Sequence, residues 1–174
     1  KAVKLPHVIV SAAEHSSVLE PAKVLAERGL CTLTLAPVKT SGEVDADALL
    51  DLLTADTVLV CVMHANNETG AISPVMRIAK KIKEKKADVH VHVDAVQVLG
   101  KLDLTGYATS VIDSASFSAH KIGGFKGVGA LFLRSGAKLS LLLCGGGQER
   151  SRRPGTENMP GIVSFGMQIG RAHV

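Results

Sequence analysis

The 174-residue sequence contains no tryptophan, one tyrosine (Tyr107) and four phenylalanines (Phe117, Phe125, Phe132 and Phe165), so aromatics make up only 3% of it. That scarcity leaves the core to Val, Leu, Ile and Ala, and it excludes a base-stacking platform for single-stranded nucleic acid. No apolar run reaches the ~20 residues a helix needs to cross a bilayer, so no membrane span is expected. Cysteine is confined to Cys31, Cys61 and Cys144, an odd and widely spaced set flanked by apolar residues or glycine. These read as reduced core thiols of an intracellular, cytoplasmic protein and not as a disulfide framework. The chain opens on Lys1 without an initiator Met, so organelle targeting is not assessable from it. What is present describes an ordinary globular chain about one domain long: 46% hydrophobic, 21% charged, net charge +4.

Short apolar blocks alternate with blocks of helical period. Strands are expected at His7–Ser11, Cys31–Leu35, Thr57–Val62, Val89–Val93, Val111–Phe117, Ala130–Leu133 and Leu141–Leu143. Ser17 with Glu20 reads as a capping box for a helix that Gly29 stops, and Asp45 as the cap of a helix running through Leu53. Ser73-Pro74 reads as a capping hydroxyl followed by proline at the first helical position, with Val75, Ile78, Ala79 and Ile82 forming the apolar stripe. Lys80, Lys81, Lys83, Lys85 and Lys86 are expected on the solvated face of that helix. The alternation predicts an α/β fold, a mostly parallel sheet with helices on both faces. Ligands then bind beyond the carboxyl ends of the strands. Glu14-His15, His64–Gly70, Asp94–Gln97 and Ser118–Lys121 all fall at such ends.

Three chemistries compete for these residues. His90, His92 and Asp94 alternate along one strand face, and with His64 or His120 they offer ligands for a metal-dependent hydrolase; neutral, hydrogen-bonded histidines fit the same pattern. Lys121, just after an apolar strand and beside Ser118 and His120, fits either a surface lysine or a desolvated amine that forms a Schiff base with an aldehyde cofactor. Under the second reading Asp94 pairs with a cationic ring nitrogen; otherwise it caps the next helix. Arg150, Arg152 and Arg153 near Gly145–Gly147 offer a basic binding module. Glu149 and Glu157 dilute that run, and nucleic acid is not expected as a partner.

Taken together, Glu14-His15, Met63–Gly70, His92–Gln97 with Gly100-Lys101, Ser116–Gly129 and Gly145–Asn158 closely resemble the cysteine desulfurase and selenocysteine lyase family. These are class V aminotransferase-like enzymes that use pyridoxal 5'-phosphate. The five strings occur in the family's order over roughly residues 7–166. The resemblance implies the large domain of a fold type I transferase, incomplete here, over residues 1–167. It further implies that Lys121 is the Schiff-base lysine and that His15 stacks on the pyridine ring and assists proton transfer. Asp94 would pair with the pyridinium and Gln97 with the phenolic oxygen, Asn67 lying close by. Ser118 and His120 would bind the phosphate, and Thr156 would reach the phosphate of a neighbouring subunit in a homodimer. The implied reaction splits the carbon–sulfur bond of L-cysteine or the carbon–selenium bond of L-selenocysteine. Its products are alanine and sulfur or selenium for an acceptor protein.

Some features depart from the family pattern. Phe125 stands where the family usually has proline after the double glycine, which implies a looser loop beyond Lys121. The phosphate-binding N-terminal segment, the loop with the persulfide cysteine and the carboxylate-gripping arginine have no counterpart here. None of the three cysteines lies in the catalytic context. Met63–Gly70 and Arg153–Asn158 are closer to the lyases, and Ser116–Gly124 to the desulfurases. Residues 168–174 resemble the in-frame translation of a sequencing-library adapter and are expected to be non-native.

Overall fold

The computed structural model describes residues 4–140 and 143–171. Six strands, β1 (His7–Ser11), β2 (Thr32–Ala36), β3 (Thr57–Met63), β4 (His90–Asp94), β5 (Ser114–Ser118) and β6 (Gly129–Leu133), form one sheet in the order β2-β1-β3-β4-β5-β6. The first five run parallel and β6 returns antiparallel beside β5. The helices are α1 (Ser16–Glu27), α2 (Ala46–Asp51), α3 (Val75–Lys85), α4 (Thr105–Thr109), a short α5 (Gln148–Ser151) and α6 (Met159–Arg171).

Alternation along the strands sends Ile9, Val60, Val62, Val91 and Val93 to one face of the sheet. There they meet Leu49 of α2, Tyr107 of α4, and Val75, Ile78, Ala79 and Ile82 of α3. Val8, Val10 and Cys61 point the other way, onto Ala22 and the half-buried Val18, Leu19 and Ala26 of α1. Helices therefore cover both faces, as expected. The α1 face is the thinner of the two, and His90 and His92 on that side are only half-buried. Each fully buried Ile of α3 contributes roughly 1.5–3 kcal/mol, so its stripe is the principal anchor of the larger core.

Several local expectations are corrected. The cap of α1 is His15, whose Nδ1 accepts from the Ser17 amide at 3.1 Å, and Ser17 sits inside the helix. Pro21 is accommodated in the second turn of α1. Ser73 does not cap α3, because its Oγ accepts from the Val44 amide at 3.0 Å and ties the preceding loop to α2's entry. Asp45 does cap α2, through the Ala48 amide, but the helix ends at Asp51. Strand β5 begins at Ser114 and not at Val111, since Ser110 Oγ accepts from Ile112 N–H in a local turn. Strands β2 and β4 each lie one residue later than the apolar runs implied. The strand expected at Leu141–Leu143 falls largely outside the described residues. Lys83 is not a solvated lysine: its side chain is 14% exposed and its Nζ lies 2.6 Å from Asp113 Oδ2. Arg134 is the second partner of that carboxylate. Burial opposes ionisation of Asp113, yet the hydrogen bonds from Lys83 and Arg134 hold its carboxyl below the usual range. Cys31 and Cys61 are buried thiols, whereas Cys144 is exposed, against the expectation for all three.

Candidate active site

The chain runs from β1 to β2 on one side of β1 and then returns to place β3 on the other. The loops leaving β1 and β3 therefore diverge, opening a crevice at the carboxyl ends of the strands. Residues from four strand ends line a cleft of about 250 Å³ there: His15 and Ser17 after β1, Met63 and Asn67 at β3, Asp94, Val96 and Gln97 at β4, and Ser118, His120 and Lys121 at β5.

The loop chemistry explains how these side chains arrive. Asn66 Oδ1 accepts from the Glu68 and Thr69 amides, and its Nδ2 donates to the Ala13 carbonyl at 3.0 Å. That knot ties the β3 loop to the end of β1 and presents Asn67 to the cleft. Asp94 is buried at the floor, and its Oδ1 accepts from the Val96 amide at 2.9 Å. Gln97 Oε1 accepts from Lys101 Nζ, which leaves its amide nitrogen as a donor. Ser118 Oγ and His120 Nδ1 lie 2.7 Å apart and share one hydrogen bond at the cleft. Because His15 Nδ1 accepts from the Ser17 amide, the neutral ring carries its proton on Nε2.

After β5 the chain makes one 3-10 turn, Ala119–Ile122, which carries His120 and Lys121. Gly123 closes it at φ +85°, in the left-handed region, and a Cβ on Gly124 would lie 2.9 Å from Ala119 Cβ. The double glycine is thus a packing requirement of the turn that displays Lys121. The Phe125 N–H donates to Ser164 Oγ at 3.1 Å, a bond that proline could not make. That bond fastens the loop to α6.

Of the residues singled out in the sequence, His15, Asn67, Asp94, Gln97, Ser118, His120 and Lys121 meet in the cleft. Thr156 does not: it is exposed, on the loop before α6. Lys121 is also exposed, in keeping with the surface-lysine alternative left open for it. Ser17, Met63 and Val96 line the cleft without having been singled out; for Ser17 the signal was its place two residues after His15. The metal reading fails on geometry. His90 Nε2 and His92 Nδ1 both bond Ser114 Oγ at 2.8 Å, burial pushing each imidazole's pKa down, and His64 Nδ1 lies 2.6 Å from the Tyr107 hydroxyl. Among the described residues no three His, Cys, Asp or Glu side chains form a metal-binding group.

The family model for class V aminotransferases matches residues 4–170. The chain belongs to that family. A cysteine desulfurase of Nostoc sp. is 48% identical over 160 residues, which make up 92% of this chain and 39% of the relative. A solved NifS-like protein superposes with a TM-score of 0.90 at 42% identity, over 97% of this chain and 46% of that one. A structure described as SspA in complex with cysteine matches with a TM-score of 0.85 at 35% identity, over 95% of this chain and 47% of that one. The class V chain spans about two-fifths of the length of the curated relatives it matches. Membership in this family leaves the basic-module reading of Arg150–Arg153 without support, as geometry does the metal reading. No described helix is long and apolar enough to cross a membrane.

Proposed function

We propose that this chain is the cofactor-binding part of a pyridoxal-phosphate-dependent cysteine desulfurase, which releases alanine and transferable sulfur from L-cysteine. One observation carries the reading: seven residues drawn from four strand ends meet in one cleft, in a chain of the class V family. The cleft's chemistry fits the cofactor, with a buried carboxylate on its floor for a cationic ring nitrogen and Ser118 and His120 for a phosphate. When bound, pyridoxal phosphate supplies an electron sink at the carbon bearing the amine.

The protein's own part is positioning and proton transfer. Lys121 would hold the cofactor through its amine and, as a free amine, would move protons at the substrate. Asp94 would pair with the cofactor's ring nitrogen and keep it protonated, and Gln97, with Asn67 close by, would donate to its phenolic oxygen. His15 would cover the cofactor ring, exclude water, and carry a proton on Nε2 toward the reacting atoms. Thr156, exposed and outside the cleft, is assigned to the phosphate of a neighbouring subunit, so that the active enzyme is a homodimer. The persulfide cysteine and the carboxylate-binding arginine lie in the remainder of a longer protein, and the acceptor is a protein thiol or its equivalent. Residues 168–174 are proposed to be foreign to the native protein; genomic sequence encoding them in frame would refute this. Reduced Cys31 and Cys61 fit an intracellular, cytoplasmic setting.

A second reading, selenocysteine lyase, rests on the character of Met63–Gly70 and Arg153–Asn158. The relatives named as cysteine desulfurases favour sulfur. Comparing alanine release from cysteine and from selenocysteine by the full-length protein decides between the two. A strong preference for cysteine supports the first reading, and near-exclusive action on selenocysteine overturns it.

A further inference from the structure

Glu14 is the last residue before His15 and is only 7% exposed. Both of its carboxylate oxygens are buried, and neither has a hydrogen-bond partner, a condition no other described carboxyl shares. The titratable groups facing it are Asp94 from β4 and Cys61 from β3, both of them acids. The adjacent His15 turns its Nδ1 away, to Ser17. A buried carboxylate with neither donor nor cation costs several kcal/mol, and the same group as a neutral acid costs far less.

We propose that Glu14 is a positioning residue that stays protonated behind the cleft, leaving Asp94 as the single negative charge available there to a cationic ring nitrogen. The part about the ring rests on the reading above; the protonation of Glu14 stands apart from it. Burial, and then the charge of Asp94, push the Glu14 carboxyl up to about 8. A negative charge on Asp94 disfavours a second one on Glu14. Glu14, whose buried oxygens have no hydrogen-bond partner, takes the proton. Asp94 has the Val96 amide to stabilise its charge. An ionised Glu14 would compete with Asp94 for that role and blur the floor of the cleft.

The test is infrared spectroscopy of the cofactor-free full-length protein carrying glutamate labelled with carbon-13 at the side-chain carboxyl, titrated from about pH 5 to pH 10. The expected result is a labelled carboxylic-acid band that persists at pH 7, disappears with a midpoint near 8, and is missing in Glu14→Gln. In Asp94→Asn the midpoint should move down. Absence of the band at pH 7, its persistence in Glu14→Gln, or an unmoved midpoint in Asp94→Asn would overturn the proposal. Should Glu14→Gln fold poorly, the labelled wild type and Asp94→Asn suffice. No arm depends on cofactor binding, so failure here is distinct from failure of the enzymatic reading.

Discussion

His15 and Glu14 are neighbours in sequence with opposite environments. His15 is exposed, fixed by Ser17 and aimed at the cleft, whereas Glu14 is enclosed and unpartnered. If His15 moves protons in the reaction, His15→Ala in the full-length enzyme should lower kcat by roughly 10²–10⁴-fold and leave the visible cofactor absorbance in place. Steady-state kinetics beside a spectrum checks this; unchanged kcat would remove His15 from the mechanism. Glu14 makes a prediction about stability. Its folded pKa, about 8, lies above the ordinary 4.5, so between those values the folded state keeps a proton that the unfolded chain has lost. Its burial therefore costs nothing below the ordinary value, costs progressively more as pH rises toward 8, and levels off above that. Glu14→Gln should flatten this decline and be the more stable protein at pH 8, by an amount on the order of a few kcal/mol. Denaturant titrations at several pH values measure it, and parallel pH profiles for the two proteins would contradict it.

At the scale of elements, the charged cluster at the amino ends of β4 and β5 is the feature that sequence reading missed most completely. Lys83 looked like one of five solvated lysines, yet it crosses to Asp113, which also holds the Val91 amide and Arg134. Removing the carboxylate leaves a nearly buried ammonium without its partner, so Asp113→Asn should cost about 3–5 kcal/mol. A loss below 1 kcal/mol in chemical denaturation would show that water replaces the pair. The turn bearing Lys121 is similarly demanding. Gly124→Ala should destabilise by about 1–3 kcal/mol through overpacking against Ala119, and weaken cofactor retention more than a distant mutation of equal cost. Thermal melts paired with cofactor content test this, and normal retention with a normal melt would contradict it.

These elements also show what was legible in the sequence. Strand β1, the α3 stripe of Val75, Ile78, Ala79 and Ile82, and the placing of polar residues at strand ends follow from periodicity, which local sequence carries. Caps and ion pairs depend on partners far along the chain. Ser73 is claimed by Val44, and Lys83 by Asp113, and no local pattern announces either. The seven cleft residues were readable because each lies at or after the carboxyl end of a strand, within strings that resemble the family. Thr156, which the resemblance assigns to a neighbouring subunit's phosphate, is exposed and does not line the cleft.

For the molecule as a whole, the scarcity of aromatics is met by a core of aliphatic side chains, with Tyr107 bridging α4 and His64 as the main aromatic contribution. The sheet order places the crevice at the divergence of β1 and β3, and every proposed cofactor contact except Thr156 lies in it. The central claim is that Lys121 in this cleft binds pyridoxal phosphate for the cleavage of cysteine. The most direct test is the absorbance and alanine output of the full-length protein and its Lys121→Ala variant, each supplied with pyridoxal phosphate and L-cysteine. The account predicts a visible cofactor band and alanine formation in the wild type, and loss of both in the variant. A variant that keeps the band and the alanine output would contradict it.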